Sequence, residues 1–212
     1  MRIVCIKWGD KYGAEYVTKL KAACERHIPH TEFWCMTEDP VPGVICVPLN
    51  NDLPIWWSKL GLFRKGYFYG PTLYLDLDVV VTAPITPLLE AVDKSTLWGI
   101  DDFSYSLRRP KQSMAPATRR LLGGVGTINS SVMYWDGVDL SSVYDDFTPA
   151  VMDELHGDQN WITKCLWPDR LNLLPDGVVG SYKYHGGPYP ISVFHGDPKP
   201  HQVGEKWVKD NW

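Results

Sequence analysis

The sequence predicts an α/β chain with a mostly parallel central sheet flanked by helices, read as one domain over residues 1–212. Three observations carry that prediction. The chain opens as strand, amphipathic helix, strand, with apolar runs at Ile3–Ile6 and Phe33–Met36 around a helix-spaced set at Tyr16, Val17, Leu20, Ala23 and Cys24. Near its middle lies a run apolar enough to be buried on both faces, Leu73-Tyr74-Leu75-Asp76-Leu77-Asp78-Val79-Val80-Val81. No internal repeat or low-complexity segment interrupts the alternation of strand and helix patterns, and 212 residues suffice for a substantial core.

After the opening helix and the strand Phe33–Met36, Val44–Pro48 reads as a third strand. The segment Trp56–Arg64 reads as a helix with Leu60, Phe63 and Trp56 turned to the core, so that Lys59 or Arg64 faces the sheet edge or solvent. The run from Leu73 to Val81 reads as one strand. Ala83–Leu89 makes a turn and short helix, and Thr96–Ile100 is a strand that delivers Asp101 and Asp102 to its end. Residues 103–126 lack periodicity, mix Ser and Pro with Arg108, Arg109, Lys111, Arg119 and Arg120, and close on Gly123-Gly124-Val125-Gly126. A stretch of this kind reads either as a mobile basic lid or as solvated loop charge. Thr127–Trp135 alternates as a strand with Asn129 inside it, and Thr148–Leu155 reads as helical. A helix runs through Trp161, Ile162, Cys165 and Leu166 with Asp158 as its N-cap. Asn172–Leu174 is a strand, and Ile191-Ser192-Val193-Phe194 leads into His195-Gly196-Asp197-Pro198-Lys199.

Composition excludes several classes. A net charge of −4 does not suit a nucleic-acid binder, which shows a basic face. Five cysteines, an odd number without Cys-x-x-Cys spacing, read as buried thiols in a reducing compartment and imply no zinc site. The start at Met1-Arg2-Ile3-Val4 has no signal-peptide layout, and no run is apolar and long enough to span a bilayer. The expectation is a soluble cytoplasmic protein. Ten Trp and eleven Tyr serve core packing first, though sugar-binding clefts also use such rings.

The chemistry is expected at Asp76 and Asp78. In an extended strand, side chains at i and i+2 share a face roughly 6–7 Å apart. Two bare carboxylates there repel each other and lose solvation, and a divalent cation with oxygen ligands relieves both penalties. Two solvated acids beyond a strand end are the alternative. In the tail, His195 ends a strand, Gly196 lets backbone approach a ligand, and Lys199 follows four residues later. Imidazole plus two carboxylates suits manganese, and Lys199 can neutralise a diphosphate. Neither Gly-x-Gly-x-x-Gly nor a P-loop is present, so bound phosphates need such a device.

These residues resemble a known family. The Asp-x-Asp pair, the helix with Lys59 ahead of it, Asn129-Ser130-Ser131-Val132-Met133, Gly157-Asp158-Gln159 and His195-Gly196-x-x-Lys199-Pro200 occur in the order found in GT-A glycosyltransferases. They are most similar to glycosyltransferase family 8, the retaining enzymes that include glycogenin and bacterial lipooligosaccharide galactosyltransferases. The resemblance implies a single GT-A, Rossmann-like domain. It also implies a metal-dependent transfer, with retention, of a hexose from a nucleotide-diphosphate donor, UDP-glucose or UDP-galactose, to a glycan or other hydroxyl acceptor. By position, Asp76, Asp78 and His195 would hold Mn2+ or Mg2+, and Asp76 would lie near the ribose. Trp8, Asp10 and Tyr12 would cradle the uridine, and Gly196 and Lys199 the diphosphate. Lys59, Asp101 and Asn129 would contact the donor sugar, with Asp158 and Gln159 under its anomeric carbon. Three positions depart from the family pattern. Val193 stands where the family histidine does, one pleat before His195, while His201 replaces an aromatic residue and Ser131 replaces Gly or Ala.

Two other classes fit part of the pattern. Asp76-Leu77-Asp78-Val79-Val80 also resembles the acid pair of haloacid-dehalogenase-like phosphatases, although there the nucleophile follows the first strand. A non-catalytic nucleotide-sugar-binding module would use the same scaffold.

Overall fold

The computed structural model describes residues 1–49, 53–104, 106–107 and 126–212. In chain order its elements are β1 (Arg2–Lys7), α1 (Ala14–His27), β2 (Glu32–Thr37), β3 (Ile45–Pro48), a 3-10 helix (Ile55–Phe63), β4 (Pro71–Leu75), β5 (Val79–Val81), α2 (Thr86–Ala91), β6 (Leu97–Asp101) and β7 (Ile128–Asp136). There follow α3 (Ser142–Asp145), α4 (Val151–Glu154), α5 (Asp158–Leu166), β8 (Leu171–Leu173), β9 (Val179–Ser181), α6 (Tyr182–His185), β10 (Ile191–Val193), a 3-10 turn (Pro200–Gln202) and α7 (Lys206–Asn211). The chain is α/β, with a mostly parallel main sheet and flanking helices, as the sequence predicts. No helix among the described residues is long and apolar enough to cross a membrane.

The backbone groups into two compact units, Met1–Leu49 with Thr72–Asp93 and Pro175–Trp212, and Asn50–Pro71 with Lys94–Leu174. In the first unit the strand order is β3-β2-β1-β4, all parallel. Helix α1 buries Tyr16, Val17, Leu20, Ala23 and Cys24, the five positions whose spacing marked its core face. A second, three-stranded sheet sets β10 antiparallel to β5 and parallel to β9. In the second unit β6 pairs antiparallel with β7 and parallel with β8, and the β6–β7 register shifts between Trp98 and Ile100.

Three local expectations are corrected. The run Leu73–Val81 is not one strand. It breaks at Asp76-Leu77-Asp78, so β4 ends in the main sheet and β5 begins in the three-stranded one. Aspartates are poor strand formers, and Val79–Val81 finds a ladder partner in Ile191–Val193 that the parallel sheet does not supply. The 3-10 helix turns Trp57 inward, at 5% exposed, and Trp56 outward. Gly157, not Asp158, is the N-cap of α5, and Asp158 is its first residue.

Candidate functional site

In the first unit, β4 ends in the turn that carries the two acids. The Phe194 amide donates to the Asp78 carbonyl at 2.9 Å, which extends the β5–β10 ladder and brings the segment 194–199 onto Asp78. Asp78 is 7% exposed, and its Oδ2 accepts from the Tyr12 hydroxyl at 2.9 Å and from Lys199 Nζ at 2.5 Å. Lys199 also donates to the Phe194 carbonyl at 2.9 Å and stands 5.5 Å from the Tyr12 ring centre. The result is a nearly buried ion pair with a phenol as third member. Asp76 is half-buried, and its Oδ1 accepts from the Tyr74 hydroxyl at 2.6 Å.

Burial first, and then the charge of Asp78, push the Tyr12 phenol far above its ordinary value. The native state therefore holds this proton more tightly than the unfolded chain does. That contribution to stability is complete below a pH of about 10 and is lost as the pH rises beyond it. Melting curves between pH 8 and 11 should show a steeper alkaline loss of stability for the wild type than for Tyr12→Phe; parallel curves would remove Tyr12 from the account.

The tail histidine takes another direction. His195 Nε2 pairs with Ser181 Oγ at 2.7 Å, and its ring packs on Tyr184 at 5.4 Å between centres. Among the described residues no group of three His, Cys, Asp or Glu side chains stands together as a metal-holding set. Asp76 and Asp78 place two carboxylates, hard oxygen donors, on one turn, and His195 is hydrogen-bonded to Ser181. At the family's histidine position, Val193 is fully buried in β10.

Gly196 adopts φ +69, a left-handed conformation that favours glycine, and Lys183 Nζ lies 3.9 Å from where a Cβ would stand. Sequence reasoning missed Lys183, because nothing in its local pattern ties α6 to the Gly196 turn. Trp8 and Asp10 are exposed on the loop after β1, whose Gly9 amide donates to Glu38 Oε2 at 2.8 Å. His201, at the family's aromatic position, packs like one: its Nδ1 meets the Tyr16 hydroxyl at 2.6 Å and its ring lies 6.1 Å from Trp212.

In the second unit, Lys59 Nζ donates to Ser130 Oγ at 3.1 Å, beside Asn129, whose Oδ1 accepts from the Ser131 amide at 3.0 Å. Arg64 instead stands over the rings of Tyr67 and Tyr144. Asp101, at the end of β6, receives Ser106 Oγ at 2.5 Å and the Leu107 amide at 2.6 Å. The neighbouring Asp102 is 7% exposed and receives Gln159 Nε2 at 3.3 Å. Asp158 is 3% exposed in the first turn of α5. The structure thus pairs Gln159 with Asp102 and Lys59 with Ser130, two partners absent from the sequence-derived site. The basic residues Arg108, Arg109, Lys111, Arg119 and Arg120, and the glycines 123 and 124, lie outside the described residues.

This fold is that of the GT-A glycosyltransferases. The galactosyltransferase LgtC, solved in complex with donor and acceptor sugar analogues, superposes with a TM-score of 0.69 at 17% identity, over 94% of this chain and 89% of that one. The glycosyltransferase GlyE of Streptococcus pneumoniae matches with a TM-score of 0.65 at 18% identity, over 94% of this chain but 56% of its own length. The bifunctional glycosyltransferase WbbM follows with a TM-score of 0.61 at 12% identity, over 46% of its length. No protein-family model and no curated protein sequence matches the chain.

Proposed function

We propose that the chain is a nucleotide-sugar-dependent glycosyltransferase that acts as one catalytic domain. It would move a hexose from a UDP-sugar, UDP-glucose or UDP-galactose, to a glycan or other hydroxyl acceptor, with retention at the sugar carbon. The observation that carries this reading is the buried Asp78, held by Tyr12 and Lys199 at the end of β4 in a chain of GT-A fold. Open α/β sheets bind ligands at the carboxyl ends of their strands, which is where this cluster stands.

The chain's own residues suggest the division of labour. Tyr12, with Trp8 and Asp10 on the same loop, is the group for the base. Lys199 and the Gly196 backbone are the groups for the diphosphate. An ammonium positioned there stabilises charge that develops on the leaving phosphate. Asp76 and Asp78 would hold a divalent ion, manganese or magnesium, which when bound supplies further positive charge beside that leaving group. His195, the third ligand expected from the sequence, pairs with Ser181 at 2.7 Å. Lys59, Asn129 and Asp101 are assigned to the sugar hydroxyls, and Asp158 and Gln159 to the anomeric carbon.

A thermal-shift screen of nucleotide-sugars, each with and without manganese, tests the reading. A donor at one hundred times its Kd stabilises the native state by about 2.7 kcal/mol. The expected result is a rise in Tm with UDP-glucose or UDP-galactose. No shift with any nucleotide-sugar, together with phosphate release from p-nitrophenyl phosphate, would replace the transferase with a phosphatase.

A further inference from the structure

The 3-10 helix Ile55–Phe63 begins in a conformation that a β-branched residue rarely adopts, with Ile55 at φ +54. Backbone held this way persists where surrounding structure enforces it, and such residues cluster at binding and catalytic sites. Here the entry turns two large apolar side chains outward in succession, Ile55 at 46% and Trp56 at 41% exposed. The next residue, Trp57, goes inward and packs on Phe147 at 5.2 Å between ring centres. Core packing therefore accounts for Trp57 and not for Trp56.

Trp56 is not loose on the surface. Its indole lies 5.9 Å from the exposed His156 ring, with 35° between the two planes. A Cβ at position 157 would stand 3.1 Å from the indole Nε1 and 3.2 Å from Cδ1. Gly157 thus lets the indole settle against the backbone that leads directly into Asp158 and Gln159. The outcome is a tilted aromatic pair, open to solvent and adjoining the two residues assigned to the sugar carbon. An indole face takes the apolar C–H face of a pyranose, and the ring N–H groups of Trp56 and His156 can meet its hydroxyls.

We propose that Trp56 and His156 form a stacking subsite for a hexopyranose ring of the acceptor. This rests on the transferase reading, and its test is made without turnover. Saturation-transfer NMR with lactose, maltose and cellobiose, in the absence of any donor, reads sugar binding directly. At least one disaccharide should be saturated by the wild type. Trp56→Ala should weaken it tenfold or more, and Gly157→Ala, which displaces the indole without removing it, should weaken it too. Both variants should keep the UDP-induced thermal shift. The proposal is overturned if no disaccharide binds, if binding is equal in the wild type and Trp56→Ala, or if uridine monophosphate displaces the sugar from the indole. A wild type that binds sugar through Trp56 but gives no shift with any nucleotide-sugar would sink the transferase reading and leave the subsite standing.

Discussion

Replacing Asp78 with alanine is expected to cost the fold about 3–5 kcal/mol, the usual penalty for leaving one partner of a buried ion pair uncompensated. The pair qualifies, because the side chains of Lys199 and Asp78 are 11% and 10% exposed and meet at 2.5 Å. An exposed pair would contribute no more than about 1 kcal/mol. The Tyr12 hydroxyl would lose its acceptor in the same step. Adding Lys199→Met should recover most of the stability, because the orphaned ammonium is then gone and apolar replacements of buried pairs are tolerated. Activity should behave differently: sugar transfer should fall by ~10²–10³-fold or more in both the single and the double variant, since positioned charge at the leaving group is lost. Urea unfolding and transfer assays on the wild type and the two variants settle the matter. A single-variant loss below about 1 kcal/mol would mean that the pair behaves as if solvated.

Asp158→Asn is expected to leave the fold nearly intact and to reduce turnover by about 10²–10³-fold, the range seen when one preorganised electrostatic group is removed. The substitution keeps the shape of the side chain. It removes the favourable interaction of a carboxylate with the first turn of α5, about 0.3–1 kcal/mol. If Asp158 stabilises positive charge at the sugar carbon, the loss should appear in kcat and kcat/KM equally, with KM little changed. Gln159→Ala serves as the comparison. That residue is tied to Asp102 at 3.3 Å, so its removal takes one donor from a buried carboxylate that also accepts the Ser104 amide at 2.8 Å, and should lower both stability and turnover. Wild-type turnover in Asp158→Asn would remove it from the reacting centre and return it to a purely helical role.

Much of the architecture was legible because it is written in local periodicity. The spacing of Tyr16, Val17, Leu20, Ala23 and Cys24 marked the buried face of α1, and the apolar runs at residues 3–6 and 33–36 fell inside β1 and β2. The site was legible in its members more than in its wiring. Asp78, Tyr12 and Lys199 were all named from sequence, but Lys199 was assigned to a phosphate and is found on Asp78. The place of His195 before Gly196 points it toward the acids, and the structure shows it hydrogen-bonded to Ser181. Trp56 and Trp57 are equally apolar, and helical periodicity does not hold in a 3-10 helix with three residues per turn, so the inward one was misassigned.

The opening strand–helix–strand order, the buried face of α1 and the presence of an acid pair in the central apolar run follow from the sequence by itself, because each depends on residues within a turn or two of one another. Only the tertiary structure decided that the central apolar run divides between two sheets. It alone joined a lysine 121 residues along the chain to the second acid, and it alone left Trp56 and His156 as an open pair. The physical reason is that strand pairing and ion pairing are chosen by what else competes for the same partner across the whole chain. No window of local pattern contains that competition.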